Sequence, residues 1–127
     1  MTHIHTDKAP AAIGPYSQAV SQGKLVFTSG QIPLDAVSGK LVGTSIEEQA
    51  EQVMKNLLAV LDAAGSSPEM IVKTTCFLAD MADFAAFNAV YSKYIQSKPA
   101  RSCVAVRELP MAVRVEVEAV AYCCEKE

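Results

Sequence analysis

The three arginines of the chain, Arg101, Arg107 and Arg114, all lie in one short stretch near its end. Arg101 enters an otherwise apolar predicted strand, where a guanidinium is unfavourable unless an anion meets it. Its planar fork of donors fits a carboxylate through two parallel hydrogen bonds. Arg101 is therefore a candidate for binding a carboxylate ligand, and a structural ion pair with Glu116 or Glu118 is the alternative. Arg107 and Arg114 are expected to be surface charges.

Glu116 is the candidate for proton chemistry. It lies between two valines in the last predicted strand. A partly buried carboxylate near a cation can orient a water molecule or exchange a proton. A solvated strand face is the alternative explanation, and it is the one expected for Glu118.

Tyr16, Ser29 and Gly30 are candidates for lining a pocket. Tyr16 follows Gly14-Pro15, which can place its hydroxyl over a cleft, and Gly30 permits close approach of a ligand to the backbone. From the residues alone, turn formation and core packing are the simpler explanations for these positions.

Cys103 lies two residues after Arg101 and therefore shares its strand face. Both histidines lie within the first five residues, so a thiol nucleophile activated by histidine is disfavoured, and Cys103 is expected to line a pocket. Asn88 falls, with Phe84, on the inward stripe of a predicted helix, where a buried amide needs partners. A helix-to-loop hydrogen bond and a substrate contact are both open for it.

Composition disfavours several classes of function. The net charge is −3 and the lysines are scattered, which argues against nucleic-acid binding. No apolar stretch approaches the roughly 20 residues of a membrane span, and the first residues lack the apolar core of a secretory signal. The four cysteines form no Cys-x-x-Cys pair, and no glycine-rich phosphate loop is present. We expect a cytoplasmic protein with reduced thiols and without a metal site.

The elements that must position these residues follow the order ββαβαββ in one domain, 1–127. The predicted strands cover 16–21, 25–31, 70–78, 101–107 and 113–123, and the predicted helices cover 45–64 and 80–95. Two helices can cover only one face of such a sheet. The other face keeps apolar positions, which predicts self-association and a pocket between subunits.

Motifs spread over nearly the whole chain carry a resemblance to one family. They are Ala11-Ala12-Ile13-Gly14-Pro15-Tyr16-Ser17-Gln18-Ala19, Thr28-Ser29-Gly30-Gln31-Ile32-Pro33, Ala63-Ala64-Gly65, Val72-Lys73-Thr74-Thr75, Asp83-Phe84, Pro99-Ala100-Arg101-Ser102-Cys103-Val104, Leu109-Pro110 and Val115-Glu116-Val117-Glu118-Ala119. Together they resemble the RidA (YjgF) family of 2-iminoacid deaminases. The combination is specific, although no single motif is.

The resemblance implies an α+β domain of the bacillus-type chorismate-mutase-like fold, assembled as a homotrimer with sites between subunits. It also implies hydrolysis, without metal or cofactor, of reactive enamines and imines such as 2-aminoacrylate and 2-iminobutanoate. The products are a 2-oxo acid and ammonia, so the ligands are small 2-imino and 2-oxo carboxylic acids. Some family members are described as ribonucleases or translation inhibitors, so an RNA-directed role is one alternative. A non-catalytic, chaperone-like trimer is another.

The resemblance also implies a role for each candidate residue. Arg101 would clasp the substrate carboxylate, and Glu116 would position the water or the imine nitrogen. Cys103 and Gly30 would line the pocket with their backbone. The remaining pocket-lining or supporting positions are Tyr16, Ser29, Phe84 and Asn88. The stretch 94–99, just before Arg101, is shorter than in the family by a residue or more, which bears on the pocket rim and on substrate size.

Overall fold

The computed structural model describes residues 1–124 and contains six strands and two α-helices within that range. The strands are β1 (Thr2–Ile4), β2 (Ala19–Gln22), β3 (Leu25–Thr28), β4 (Ile71–Leu78), β5 (Ala100–Ala105) and β6 (Val115–Tyr122). The helices are α1 (Ile46–Ala63) and α2 (Phe84–Tyr94). Neither of these helices has both the length and the apolar character needed to cross a membrane.

The strands form a six-stranded mixed sheet in the order β1-β2-β3-β6-β4-β5. β4 and β5 run parallel, and the other neighbouring pairs are antiparallel. A parallel pair requires a crossover connection, and α2 provides it between β4 and β5. The last strand of the chain, β6, therefore lies in the middle of the sheet, and β5 lies at an edge.

The predicted order ββαβαββ is wrong at the N-terminus, where the structure adds β1 and the order becomes βββαβαββ. β1 pairs with β2, with Ile4 opposite Ala19, and Ile4 packs against the core. The Gln18 side chain then holds the following segment, since it accepts from the Thr6 N–H at 2.7 Å and donates to the Pro10 carbonyl at 2.8 Å. The polar first residues give no strand signal of their own. They form a strand because β2 supplies its backbone hydrogen-bond partners, and Gln18 then holds the segment that follows.

The start of α1 is fixed by a local interaction that the sequence indicates. Ser45 is the N-cap residue, and its side chain accepts from the Glu48 N–H at 3.1 Å. The Glu48 carboxylate accepts in return from the Ser45 N–H at 3.2 Å. This capping box satisfies backbone donors that the first helical turn leaves without partners.

The two helices pack on one face of the sheet. Along β6, the buried residues Val115, Val117, Ala119 and Ala121 belong to the core that the helices cover. The residues between them point to the opposite face, because side chains alternate along a strand. We call that opposite side the open face. Its exposed large apolar side chains are Leu25, Phe27, Val104 and Tyr122.

Asn56 anchors the loop after β3 to α1. Its side chain is 1% exposed and donates to the carbonyls of Ile32 and Leu34 at 3.0 and 2.9 Å. Its amide oxygen accepts from Gln52 at 2.9 Å. These hydrogen bonds fix the loop to the helix.

We expect Asn56→Ala to lower the free energy of unfolding by about 2 kcal/mol, because two side-chain hydrogen bonds in a buried site are lost. Urea denaturation at fixed protein concentration would show a lower midpoint with an unchanged slope. The exposed neighbour Lys55→Ala is the matched control. A midpoint equal to that of the control would show that the loop does not depend on Asn56.

Candidate active site

The side chain of Arg101 is held by one face of α2. Its Nη1 donates to Asn88 Oδ1 at 2.7 Å. Its guanidinium carbon lies 4.9 Å from the ring centroid of Tyr91 and 5.5 Å from that of Phe84. Residues 84, 88 and 91 face the same way because they lie four and three positions apart on a helix. The guanidinium is therefore oriented by an amide oxygen and two aromatic rings.

The ion pair between Arg101 and Glu116 or Glu118, which the sequence leaves open, does not form in the described chain. Among residues 1–124, Arg101 makes no salt bridge, and Asn88 is the acceptor of its side-chain hydrogen bond. The sequence leaves two interpretations open for Asn88, a helix-to-loop hydrogen bond and a substrate contact. In the structure, the Asn88 amide oxygen accepts a hydrogen bond from Arg101 of β5. The remaining guanidinium donors can bind an anionic ligand.

Cys103 lies beside Arg101, as the strand spacing predicts. In the parallel pairing of β4 and β5, Arg101 is opposite Thr74 and Cys103 is opposite Cys76. Burial raises the pKa of the Cys103 thiol, and the nearby Arg101 only partly offsets this. Burial also raises the pKa of the Cys76 thiol to about 12. Both thiols therefore stay protonated at neutral pH, and their raised pKa values do not favour a thiolate nucleophile.

Glu116 lies on the open face against Gly30. A Cβ atom built on Gly30 would collide with Oε2 of Glu116, so only glycine leaves room for this carboxylate. Burial, and next the charge of Glu118, raise the pKa of the Glu116 carboxyl above its usual range. A carboxyl of this kind takes up and releases a proton closer to neutral pH.

The neighbours of Gly30 are fixed by backbone pairing. Gln31 exchanges two hydrogen bonds with Val117 of β6, at 2.8 and 3.1 Å. The Ser29 hydroxyl donates to the Ser17 carbonyl at 2.6 Å, so it holds this turn together. Tyr16 is 53% exposed and lines a cavity of about 270 Å³ with Gly30. The predicted candidates Tyr16, Ser29, Gly30 and Glu116 are thus brought together.

The sheet separates the two groups of candidates within one chain. Arg101 lies opposite Thr74, whose buried hydroxyl bonds Tyr91 of α2 at 2.8 Å, so Arg101 is on the helix side. Glu116 lies next to the buried Val117 and therefore points to the open face. We call the first group, Phe84, Asn88, Arg101 and Cys103, the arginine half-site. We call the second group, Tyr16, Ser29, Gly30 and Glu116, the glutamate half-site.

Arg114 has a structural role that the sequence analysis missed. Its Nη1 lies 3.5 Å from Asp83 Oδ2, and its Nε donates to the Thr44 carbonyl at 2.8 Å. Arg114 is exposed, as predicted, and it makes these two contacts in addition. Asp83 directly precedes Phe84 of the arginine half-site, and Arg114 lies two residues before Glu116. No spacing rule could reveal this pair, because its members come from distant segments.

The chain is similar to known proteins over nearly its whole length. The family model described as Endoribonuclease L-PSP matches residues 6–123. The 2-iminobutanoate/2-iminopropanoate deaminase of Mus musculus is 51% identical over 119 residues, covering 93% of this chain and 88% of that protein. A RutC family protein of Pyrococcus abyssi is 49% identical over 120 residues, covering 94% of each. The crystal structure of E. coli TdcF with bound serine has a TM-score of 0.92 and 42% identity, covering 98% of this chain and 100% of that chain.

We expect Glu118→Gln to lower the pKa of Glu116, because removal of a neighbouring negative charge makes the ionised carboxylate less unfavourable. Part of the elevation should remain, since burial is the larger cause. A pH titration of the Glu116 side-chain carbon by NMR measures the change. Glu47→Gln, in the first turn of α1 on the helix side, is the control. An unchanged titration midpoint in the Glu118 variant would contradict the electrostatic assignment.

Proposed function

This chain belongs to the family described as Endoribonuclease L-PSP, and within it we propose that the protein is a deaminase that hydrolyses small 2-imino acids to 2-oxo acids and ammonia. The observation that carries the proposal is the Arg101 guanidinium, which bonds Asn88, packs against two rings and has no carboxylate partner in residues 1–124. The name of the mouse relative supports the same reaction.

Arg101 binds the carboxylate of the substrate in this proposal. Asn88 occupies one donor of the guanidinium, and the rings of Tyr91 and Phe84 pack against it. A pre-oriented fork loses little conformational freedom when it forms two charge-assisted hydrogen bonds. The substrate is thereby fixed at one end, which sets the position of its imine carbon.

Glu116 supplies the proton chemistry. Water attacks the carbon of the protonated imine while the Glu116 carboxylate accepts one of its protons, giving a neutral carbinolamine. Glu116 then returns that proton to nitrogen, the C–N bond breaks, and the departing ammonia takes the hydroxyl proton of the carbinolamine, so the products are the 2-oxo acid and ammonium and the carboxylate ends as it began. An enamine first takes a proton on its terminal carbon and becomes the protonated imine. The raised pKa of Glu116 suits a group that must both accept and donate a proton.

A complete site needs two copies of the chain in this proposal. The arginine and glutamate half-sites lie on opposite sides of one sheet, so a single chain cannot place both around one small substrate. The open face carries exposed apolar side chains at Phe27, Val104 and Tyr122, and such a patch favours association. The resemblance to the RidA family implies a homotrimer, and we propose one in which one subunit gives Arg101 and the next gives Glu116 to each site.

The family description favours a second candidate function, cleavage of RNA. The net charge of −3 and the scattered lysines argue against it, because RNA binding depends on neutralising phosphates. Binding of RNA that weakens steeply with salt would support this candidate.

We expect Arg101→Ala to lower kcat/KM by about 100-fold, since a charge-assisted bidentate contact is lost, and Arg101→Lys to lie between this variant and wild type. The assay follows 2-oxo acid formed from an imine generated in situ by an amino acid oxidase, above the uncatalysed rate. Arg107→Ala, an exposed arginine, is the control. Equal rates for Arg101→Ala and wild type would rule out the assigned role.

Mixing two inactive variants tests whether each site lies between subunits. Arg101→Ala and Glu116→Gln, co-expressed with different tags and purified as mixed oligomers, should regain about a quarter of the wild-type rate, because random mixing leaves one site in about four with both groups intact. Each variant alone should stay inactive. If the mixture is as inactive as its components, Arg101 and Glu116 act from the same subunit.

A further inference from the structure

We propose that Lys98 and Arg101 form a subsite for two anionic groups, so that the protein prefers 2-imino acids with a second carboxylate on the side chain. The proposal deepens the deaminase function and rests on it. It assigns Lys98 as a residue that determines substrate specificity, with a four- or five-carbon diacid as the class of substrate.

The first observation is a cavity beside the arginine half-site. It has a volume of about 490 Å³ and is lined by Asn88, Tyr91, Ile95, Lys98 and Arg101, among others. Pockets that bury small ligands usually have volumes of about 300–1,000 Å³. A 2-imino acid bound to Arg101 would therefore share this cavity with the Lys98 side chain.

The second observation is the charge of that cavity. Lys98 and Arg101 are both cations, and neither forms an ion pair within residues 1–124. The protein as a whole carries a net charge of −3, whereas this cavity is lined by two cations. Since each cation favours a nearby anion, the pair suits a ligand with two negative groups.

The third observation is the backbone of Lys98, which has a φ of +55°. A side chain with a Cβ atom rarely adopts this left-handed conformation. Backbone strain of this kind persists where the surrounding structure imposes it, and it is concentrated at functional sites. Here it sets the path of the chain from the end of α2 into β5, and so the position of Lys98 on the cavity rim.

The spacing of the two cations agrees with a single diacid. Lys98 and Arg101 are three residues apart, which is at most about 10 Å of extended chain. Both side chains are long and flexible in their stems, so the ammonium and the guanidinium can converge on the two ends of a molecule of four or five carbons. The segment between the end of α2 and the start of β5 carries Lys98.

Binding of stable 2-oxo acids tests the subsite independently of turnover. Calorimetry on the intact protein would compare 2-oxoglutarate with 2-oxobutanoate for wild type, Lys98→Ala and the control Lys55→Ala. We expect wild type and the control to bind 2-oxoglutarate about fivefold more tightly than 2-oxobutanoate, which is the gain that one solvent-exposed ion pair allows. In Lys98→Ala the ratio of the two affinities should be close to one. The preference of wild type should weaken as salt is raised.

The outcomes separate the subsite from the proposed function. Equal affinities in wild type, or an unchanged ratio in Lys98→Ala, would overturn the subsite even if imines of small neutral amino acids are hydrolysed. A Lys98-dependent preference for 2-oxoglutarate without hydrolysis of any imine would support the subsite and reject the deaminase function. Thermal melting of each variant confirms that it is folded, and Lys98→Arg should restore the ratio because it keeps the charge.

Discussion

The candidate site depends on how one guanidinium is held at the edge of the sheet. A cation in a half-buried position must find acceptors or aromatic faces, and α2 supplies both to Arg101 through Asn88, Tyr91 and Phe84. None of these contacts is a carboxylate, so the positive charge is oriented without being neutralised. This combination of fixed geometry and residual charge is what a small carboxylic acid can use.

The alternation of side chains along β6 imposes the second constraint. Val117 must face the core, and Glu116 therefore faces away from it and lies against Gly30. The carboxylate is consequently separated by the sheet from Arg101 of the same chain. A strand cannot bring both groups to one side without losing its buried face, and this is the physical reason for proposing that subunits share each site.

The ion pair between Arg114 and Asp83 connects the two halves within a chain. Asp83 lies next to Phe84, and Arg114 lies two residues before Glu116. Oδ2 of Asp83 is buried and has no hydrogen-bond partner within residues 1–124, so the charge of Arg114 at 3.5 Å is what compensates it. The start of α2 and the start of β6 are thereby held in one arrangement.

The sequence by itself determined the elements that local patterns specify, such as the capping box at Ser45 and the placement of Arg101 and Cys103 on one strand face. It also determined the family, because the motifs around Arg101 and Glu116 are specific in combination. Only the tertiary structure decided which groups meet. The short strand β1 exists because β2 pairs with it, and Asn88 bonds Arg101 because a crossover places α2 beside β5. Local patterns encode dihedral preferences and burial, whereas contacts between distant segments depend on how the whole sheet is assembled.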